Sequence, residues 1–400
     1  MFFSDDPEFT DHGYYLVNGI KTLSKFEAWQ FSKGNFNDIQ FIYNDELMSS
    51  YNWTTEPTEN IYDLYTERAR QIRAKYDYVV LLYSGGIDSH TILETFLHND
   101  IKLDEICTLN NTDVESTTSK FNQEVFNRAI PFVQSLDLKK LGTKFRLVDI
   151  GEIILNQYSD TYHFENHHYY TNGPGSNWSN AARSHVLKLK MKEHIVLSEQ
   201  GKTVCYIWGF DKPVITIEDD KYCLKFSDSA IDLNVRQYIN RSVYQNVLAN
   251  FYDEPFFITK DCPKISIKQA HLLVNYMKTI SASDTRLLSQ DELANTGPFV
   301  VHHKNQYYRF LSKKMVDGVL YPNALLSSFK DDKVKGSVML TSRDNWFNLS
   351  DHNNQHRWIQ NLNKLLTTNH GFYLFKNNKV VIPNHVLSNP YYIGPTNVFY

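Results

Sequence analysis

The chain has 400 residues, enough for two domains or for one large core with an appended module. Hydrophobic residues make up 42% and charged residues 22%, and the net charge of −4 gives no global attraction to nucleic acid or an anionic membrane. No run approaches the ~18 apolar residues of a membrane span, and no basic-then-apolar leader opens the sequence, so a cytoplasmic location is expected.

Residues 1 to about 60 read as a small leading module. Apolar and β-prone residues from Tyr14 to Leu23 flank Asn18-Gly19, the pair favoured in a type I′ turn, which predicts a hairpin partnered by Phe36 to Tyr43. From Asn60 to Lys75, the residues Ile61, Leu64, Tyr65, Ala69 and Ile72 fall on one helical stripe. The apolar run Tyr78 to Tyr83 then reads as a parallel strand buried on both faces. Ser89 to His98 is predicted helical, Asp104 to Leu109 a second strand, Thr117 to Ser135 a helix and Phe145 to Ile150 a third strand. A helix from about Ser179 to Ser198 leads into a strand at Thr203 to Trp208. Strands joined by helical crossovers imply an α/β fold with a doubly wound parallel sheet, over about residues 61 to 230. From 231 to 400 the alternation fades into a mainly helical region, with an amphipathic helix at Ile265 to Ile280 and short β-like pieces such as Val380-Val381-Ile382.

The segment that carries chemistry is Leu81-Leu82-Tyr83-Ser84-Gly85-Gly86-Ile87-Asp88-Ser89, where the first buried strand turns into a helix. Adjacent glycines let the backbone approach an anion with no Cβ in the way. The turn offers free amides, the positive end of a helix dipole and two hydroxyls to one concavity, which suits phosphate. Asp88 carries the wrong charge to bind phosphate itself, and its sensible role is to hold Mg²⁺. The chain has neither a G-x-x-x-x-G-K-[ST] P-loop nor a G-x-G-x-x-G dinucleotide turn.

Ser84-Gly85-Gly86-Ile87-Asp88-Ser89 after a first strand resembles the Ser-Gly-Gly-x-Asp-Ser signature of the PP-loop ATP pyrophosphatases. These include asparagine synthetase, β-lactam synthetase, GMP synthetase, NAD synthetase and several tRNA-modifying enzymes. The synthetase domain of asparagine synthetase is the nearest in pattern. The resemblance implies an adenine nucleotide α-hydrolase-like fold that binds ATP and Mg²⁺ and adenylates a small-molecule substrate. AMP is then displaced by an amine or ammonia. Ser84, Gly85, Gly86 and Ser89 would hold the phosphates, Asp88 would reach the nucleotide through the metal, and Leu82 and Leu109 would lie against the adenine.

A later acidic loop of that family is echoed by Gly209-Phe210-Asp211-Lys212 after the fourth strand. Asp211 would share the metal with Asp88, and Lys212 would neutralise charge as pyrophosphate forms. Arg183, in the first turn of the preceding helix, is a further candidate phosphate contact, with a surface salt bridge as the alternative.

Glutamine-using asparagine synthetases begin with a cysteine. This sequence begins Met1-Phe2-Phe3 and its first cysteine is Cys107, so nitrogen is expected from ammonia, an amine or a separate amidotransferase partner. The four cysteines form no C-x-x-C pair, which argues against a zinc ribbon or a dithiol site. His163, Glu165, His167 and His168 group as metal ligands do, but a substrate loop suits that Tyr- and Asn-rich stretch better. Asp113 and Glu115 follow the second strand and could meet a substrate amine or metal. The alternatives to amide synthesis are modification of a nucleobase or tRNA, and nucleotide binding without catalysis.

Overall fold

The computed structural model describes residues 10–110, 125–149, 187–209, 212–279, 300–303, 306–309, 313–322, 374–376, 379–381 and 386–396. Asn18 and Gly19 both take positive φ, 51° and 80°, and reverse the chain between β1 (Tyr14–Val17) and β2 (Ile20–Thr22). The other edge of β1 pairs antiparallel with β3 (Gln40–Ile42), which gives the expected hairpin its third strand. Lys25, at the start of α1 (Lys25–Phe31), and Tyr15 of β1 both reach Asp228 Oδ2, at 2.7 and 2.8 Å. Lys25 and Asp228 are fully buried, so this ion pair fixes the leading module to the rest of the chain.

Helix α2 (Ile61–Lys75) begins where the Asn60 side chain accepts from the amides of Tyr62 and Asp63, and it buries the Ile61, Leu64, Tyr65, Ala69 and Ile72 stripe. Five strands follow: β4 (Tyr78–Leu82), β5 (Glu105–Asn110), β6 (Lys144–Asp149), β7 (Val204–Trp208) and β8 (Phe251–Pro255). They form one all-parallel sheet ordered β8-β7-β4-β5-β6. The order runs outward from β4 through β5 to β6, then restarts on the other side of β4 with β7.

Helices flank the sheet. Ile92, Leu93 and Phe96 of α3 (Ile87–His98) share a buried cluster with α2 and with Val79, Leu81, Cys205 and Ile207. The alternate residues Val80, Leu82, Val204 and Tyr206 pack with Leu187 and Met191, which lead into α4 (Lys192–Glu199). Burial on both faces explains why these strands read as unbroken apolar runs.

The fifth strand lies beyond residue 230, where the parallel domain was expected to end, because Phe251–Pro255 pairs with β7 through its whole length. Between β7 and β8 the strands Val214–Glu218 and Lys221–Lys225 form a hairpin, to which Tyr391–Pro395 adds a third, antiparallel strand. Helix α5 (Ile231–Tyr238) packs on β8, and α6 (Pro263–Thr279) packs between α2 and α7 (Lys313–Leu320). The described part of the region from 231 onward therefore contributes strands as well as helices. Among the described residues no helix is long and apolar enough to cross a membrane.

Two acids of β8 are buried. Glu254 accepts from Arg68 Nη2 of α2 at 2.6 Å, from Lys75 Nζ at 2.8 Å and from the Tyr76 hydroxyl. Burial alone would raise the Glu254 carboxyl, but Arg68 and Lys75 outweigh it and hold the group at about 2. An unfolded glutamate titrates near ~4.3, so this contribution is complete above that pH and is lost as the pH falls towards 2. Glu254→Gln should lower the unfolding free energy at pH 7 by about 3 kcal/mol, and its deficit against the unsubstituted protein should shrink below pH 4. Urea denaturation at pH 7 and pH 3 measures both.

Candidate functional site

Tyr83 continues the pairing of β4 one residue past its end. Its amide donates to Cys107 O at 2.8 Å, and its carbonyl accepts from Thr108 Oγ1 at 2.8 Å. Fastened to β5 in this way, the chain turns at Ser84-Gly85-Gly86. Gly85 has φ of 74°, a conformation that a side chain would strain.

The two serines brace this turn from within. The Ser84 amide donates to Ser89 Oγ at 3.2 Å, the Ser89 hydroxyl donates to Gly86 O at 3.0 Å, and the Gly86 amide donates to Ser84 Oγ at 3.2 Å. The hydroxyls therefore shape the loop. Gly86 is the N-cap of α3 and, lacking a side chain, places no capping group over the first-turn amides. Behind the turn His90, buried, lies 3.1 Å from the Tyr83 hydroxyl and 3.2 Å from Glu94. That His90 contact holds the Glu94 carboxyl below its ordinary range.

The restart of strand order beside β4 brings the end of β7 against the start of α3. A Cβ on Gly209 would lie 3.1 Å from the Ser89 amide nitrogen and 3.1 Å from Ile92 Cδ1. Any side chain at this position would crowd the two connections and make one of them give by a few tenths of an ångström. Past it, buried Lys212 sets its Nζ 2.7 Å from Asp88 Oδ1 and 3.4 Å from Asp317 Oδ1. Asp317 comes from α7, and Tyr321, one turn further along, lies with its ring centroid 5.5 Å from the same Nζ. Burial, and then the Asp88 charge, push the Tyr321 phenol well above its ordinary range, so it stays protonated.

Ser84, Gly85, Gly86, Asp88, Ser89 and Lys212 thus converge at one place. Leu82 is buried at the end of β4, and Leu109 is half-buried near the end of β5. Asp211, Arg183, Asp113, Glu115 and the His163–His168 group lie outside the described residues. Cys107 is buried on β5, and that burial pushes its thiol up.

Sequence reasoning missed Asp317, Tyr321 and the close approach at Gly209. The available signal was an acid inside the apolar stretch Met315-Val316-Asp317 to Leu320-Tyr321, a position where a carboxylate needs a cation from elsewhere. Among the described residues no group of three or more His, Cys, Asp and Glu side chains is arranged to hold a metal ion.

No family model matches the chain, and no curated protein matches it.

The Gly209 contact gives a direct test of this geometry. Gly209→Val should lower the unfolding free energy by about 1–3 kcal/mol, because the new side chain meets backbone at Ser89 and a fully buried Ile92. Thermal and urea denaturation would measure the loss. A variant as stable as the unsubstituted protein would mean that the two connections do not pack in this way.

Proposed function

We propose that this chain is an ATP-using synthetase of the PP-loop pyrophosphatase type, which attaches AMP to an acceptor and releases pyrophosphate. The observation that supports it most is the meeting of Asp88 and Lys212 at 2.7 Å beside uncapped helix amides. That meeting lies at the carboxyl ends of β4 and β7, where the strand order turns back and open parallel sheets bind ligands. On this reading the sheet is doubly wound, of the adenine nucleotide α-hydrolase-like kind. The Ser84–Ser89 turn then holds the nucleotide phosphates, with the adenine against the strand ends at Leu82 and Leu109.

Mg²⁺ takes one or two protein carboxylates and fills its other positions with water and phosphate oxygens. The Asp88 side chain, 25% exposed and already facing a cation, fits that role. Asp211 is proposed beside it. Bound there, Mg²⁺ supplies charge neutralisation for pyrophosphate. The protein's own groups do the rest. First-turn amides of α3 receive phosphate oxygens, and Lys212 meets the charge that develops on the leaving group. A carboxylate or amide oxygen of the acceptor attacks the α-phosphorus, and the bond from that phosphorus to the bridging oxygen breaks. An amine or ammonia then adds to the activated carbon, and AMP departs with the former acceptor oxygen.

Turnover with Mg·ATP and a panel of carboxylate and amide metabolites should release AMP and pyrophosphate in equal amounts. ADP with inorganic phosphate would overturn the mechanism. ATP binding with no AMP under any mixture would favour a non-catalytic nucleotide module, and RNA-dependent AMP release would favour base modification. Asp88→Asn should cut kcat at least ~100-fold with a small change in melting temperature, since Lys212 keeps Asp317 as a partner.

A further inference from the structure

Lys212 is held by two carboxylates where one would satisfy it. Asp88 Oδ1 stands at 2.7 Å and Asp317 Oδ1 at 3.4 Å from its Nζ, so two carboxylates face one ammonium. The two acids are not equivalent. The Asp88 side chain is 25% exposed and begins the helix at the phosphate turn, whereas that of Asp317 is 7% exposed and sits on a helix whose Val316 and Leu320 are fully buried. An incoming ligand can therefore reach Asp88, while Asp317 is fixed in the core. Burying a carboxylate among apolar side chains is costly, and Lys212 is the cation that Asp317 faces among the described residues.

We propose that Asp317 is a positioning residue for the phosphate turn: by sharing the Lys212 ammonium, it keeps the Lys212–Asp88 pair loose enough for Asp88 to turn to a magnesium-bound triphosphate. This rests on the nucleotide reading above and adds the C-terminal helix α7 to that site. An ammonium shared between two carboxylates is bound less tightly by each than by one alone. When Asp88 leaves, the ammonium keeps a buried counter-ion and is not stranded. The Tyr321 ring beside Lys212 Nζ and the packing of α7 on α6 fix where that counter-ion waits.

The test is a double-mutant cycle on Mg·ATP affinity, read by titration calorimetry on the full chain. Asp317→Asn is close to isosteric. It should raise the Kd for Mg·ATP about tenfold, because Lys212 then clamps Asp88 alone. In a Lys212→Gln background the same change should leave Kd within about twofold, since no ammonium remains to compete. Equal weakening in both backgrounds would mean that Asp317 only supports the fold, and no weakening in either would also overturn the proposal. If Asp317→Asn does not fold, Asp317→Ser takes its place in the cycle. Wild-type protein that binds no Mg·ATP would overturn the nucleotide reading, and this proposal with it. Wild-type binding with an unchanged Asp317 variant would remove only the proposal.

Discussion

A charge taken out of water must meet an opposite charge or stay costly, and this protein joins distant parts of its chain at the points where that requirement is met. Lys25 of α1 meets Asp228, Arg68 of α2 meets Glu254 of β8, and Lys188 ahead of α4 meets Asp253 of β8. In each pair at least one partner is fully buried, and the residues are separated by 65 to 203 positions. Apolar contacts supply most of the burial but tolerate small shifts in register. A buried ammonium or guanidinium does not, because moving it by a residue would strand both partners. The junction of the leading module with the turn ahead of α5, and of α2 with the outer strand, is therefore fixed by charge.

The same constraint explains which elements the sequence revealed. Strands β4 and β7 are buried on both faces by apolar side chains, and their continuous apolar runs announce them. Strand β8 is equally buried but reads Phe251-Tyr252-Asp253-Glu254-Pro255, which looks like a turn. Its acids are neutralised by Lys188, Arg68 and Lys75, which lie far away in the sequence, so no window around residue 253 contains the reason that it can be a strand. The hairpin at Asn18-Gly19 and the helix start at Asn60 were legible for the opposite reason. Their determinants, positive φ and a side-chain cap, sit within a few residues of the feature itself.

The candidate site divides along the same line. The Ser84–Ser89 turn is a local device, and its glycines and serines carry their roles in their spacing. The meeting of Asp88 with Lys212 was foreseeable from the order of strands, since both follow neighbouring strand ends. The arrival of α7 was not, because helix positions far along the chain are set by packing on α6 and not by any motif. The two serine hydroxyls also hold a narrower place than their types suggest. Both are engaged inside the turn, so under the proposed nucleotide reading the phosphates fall to the backbone amides of α3.

The choice of lysine at position 212 follows from the two acids around it. A guanidinium is planar, with paired N–H groups that favour one carboxylate in a two-point grip. Placed here, arginine would commit to Asp88 or to Asp317 and hold it. An ammonium is a compact charge with three donors on a flexible stem, so it can lean towards one carboxylate without abandoning the other. The unequal distances of 2.7 and 3.4 Å fit such sharing. The Tyr321 ring limits where the ammonium can swing without offering it a full charge. A centre meant only to tie α7 to the sheet would do better with one carboxylate and a matched arginine. A second, buried acid beside an ammonium on a flexible stem suits the proposed site, where the first acid has another cation to meet.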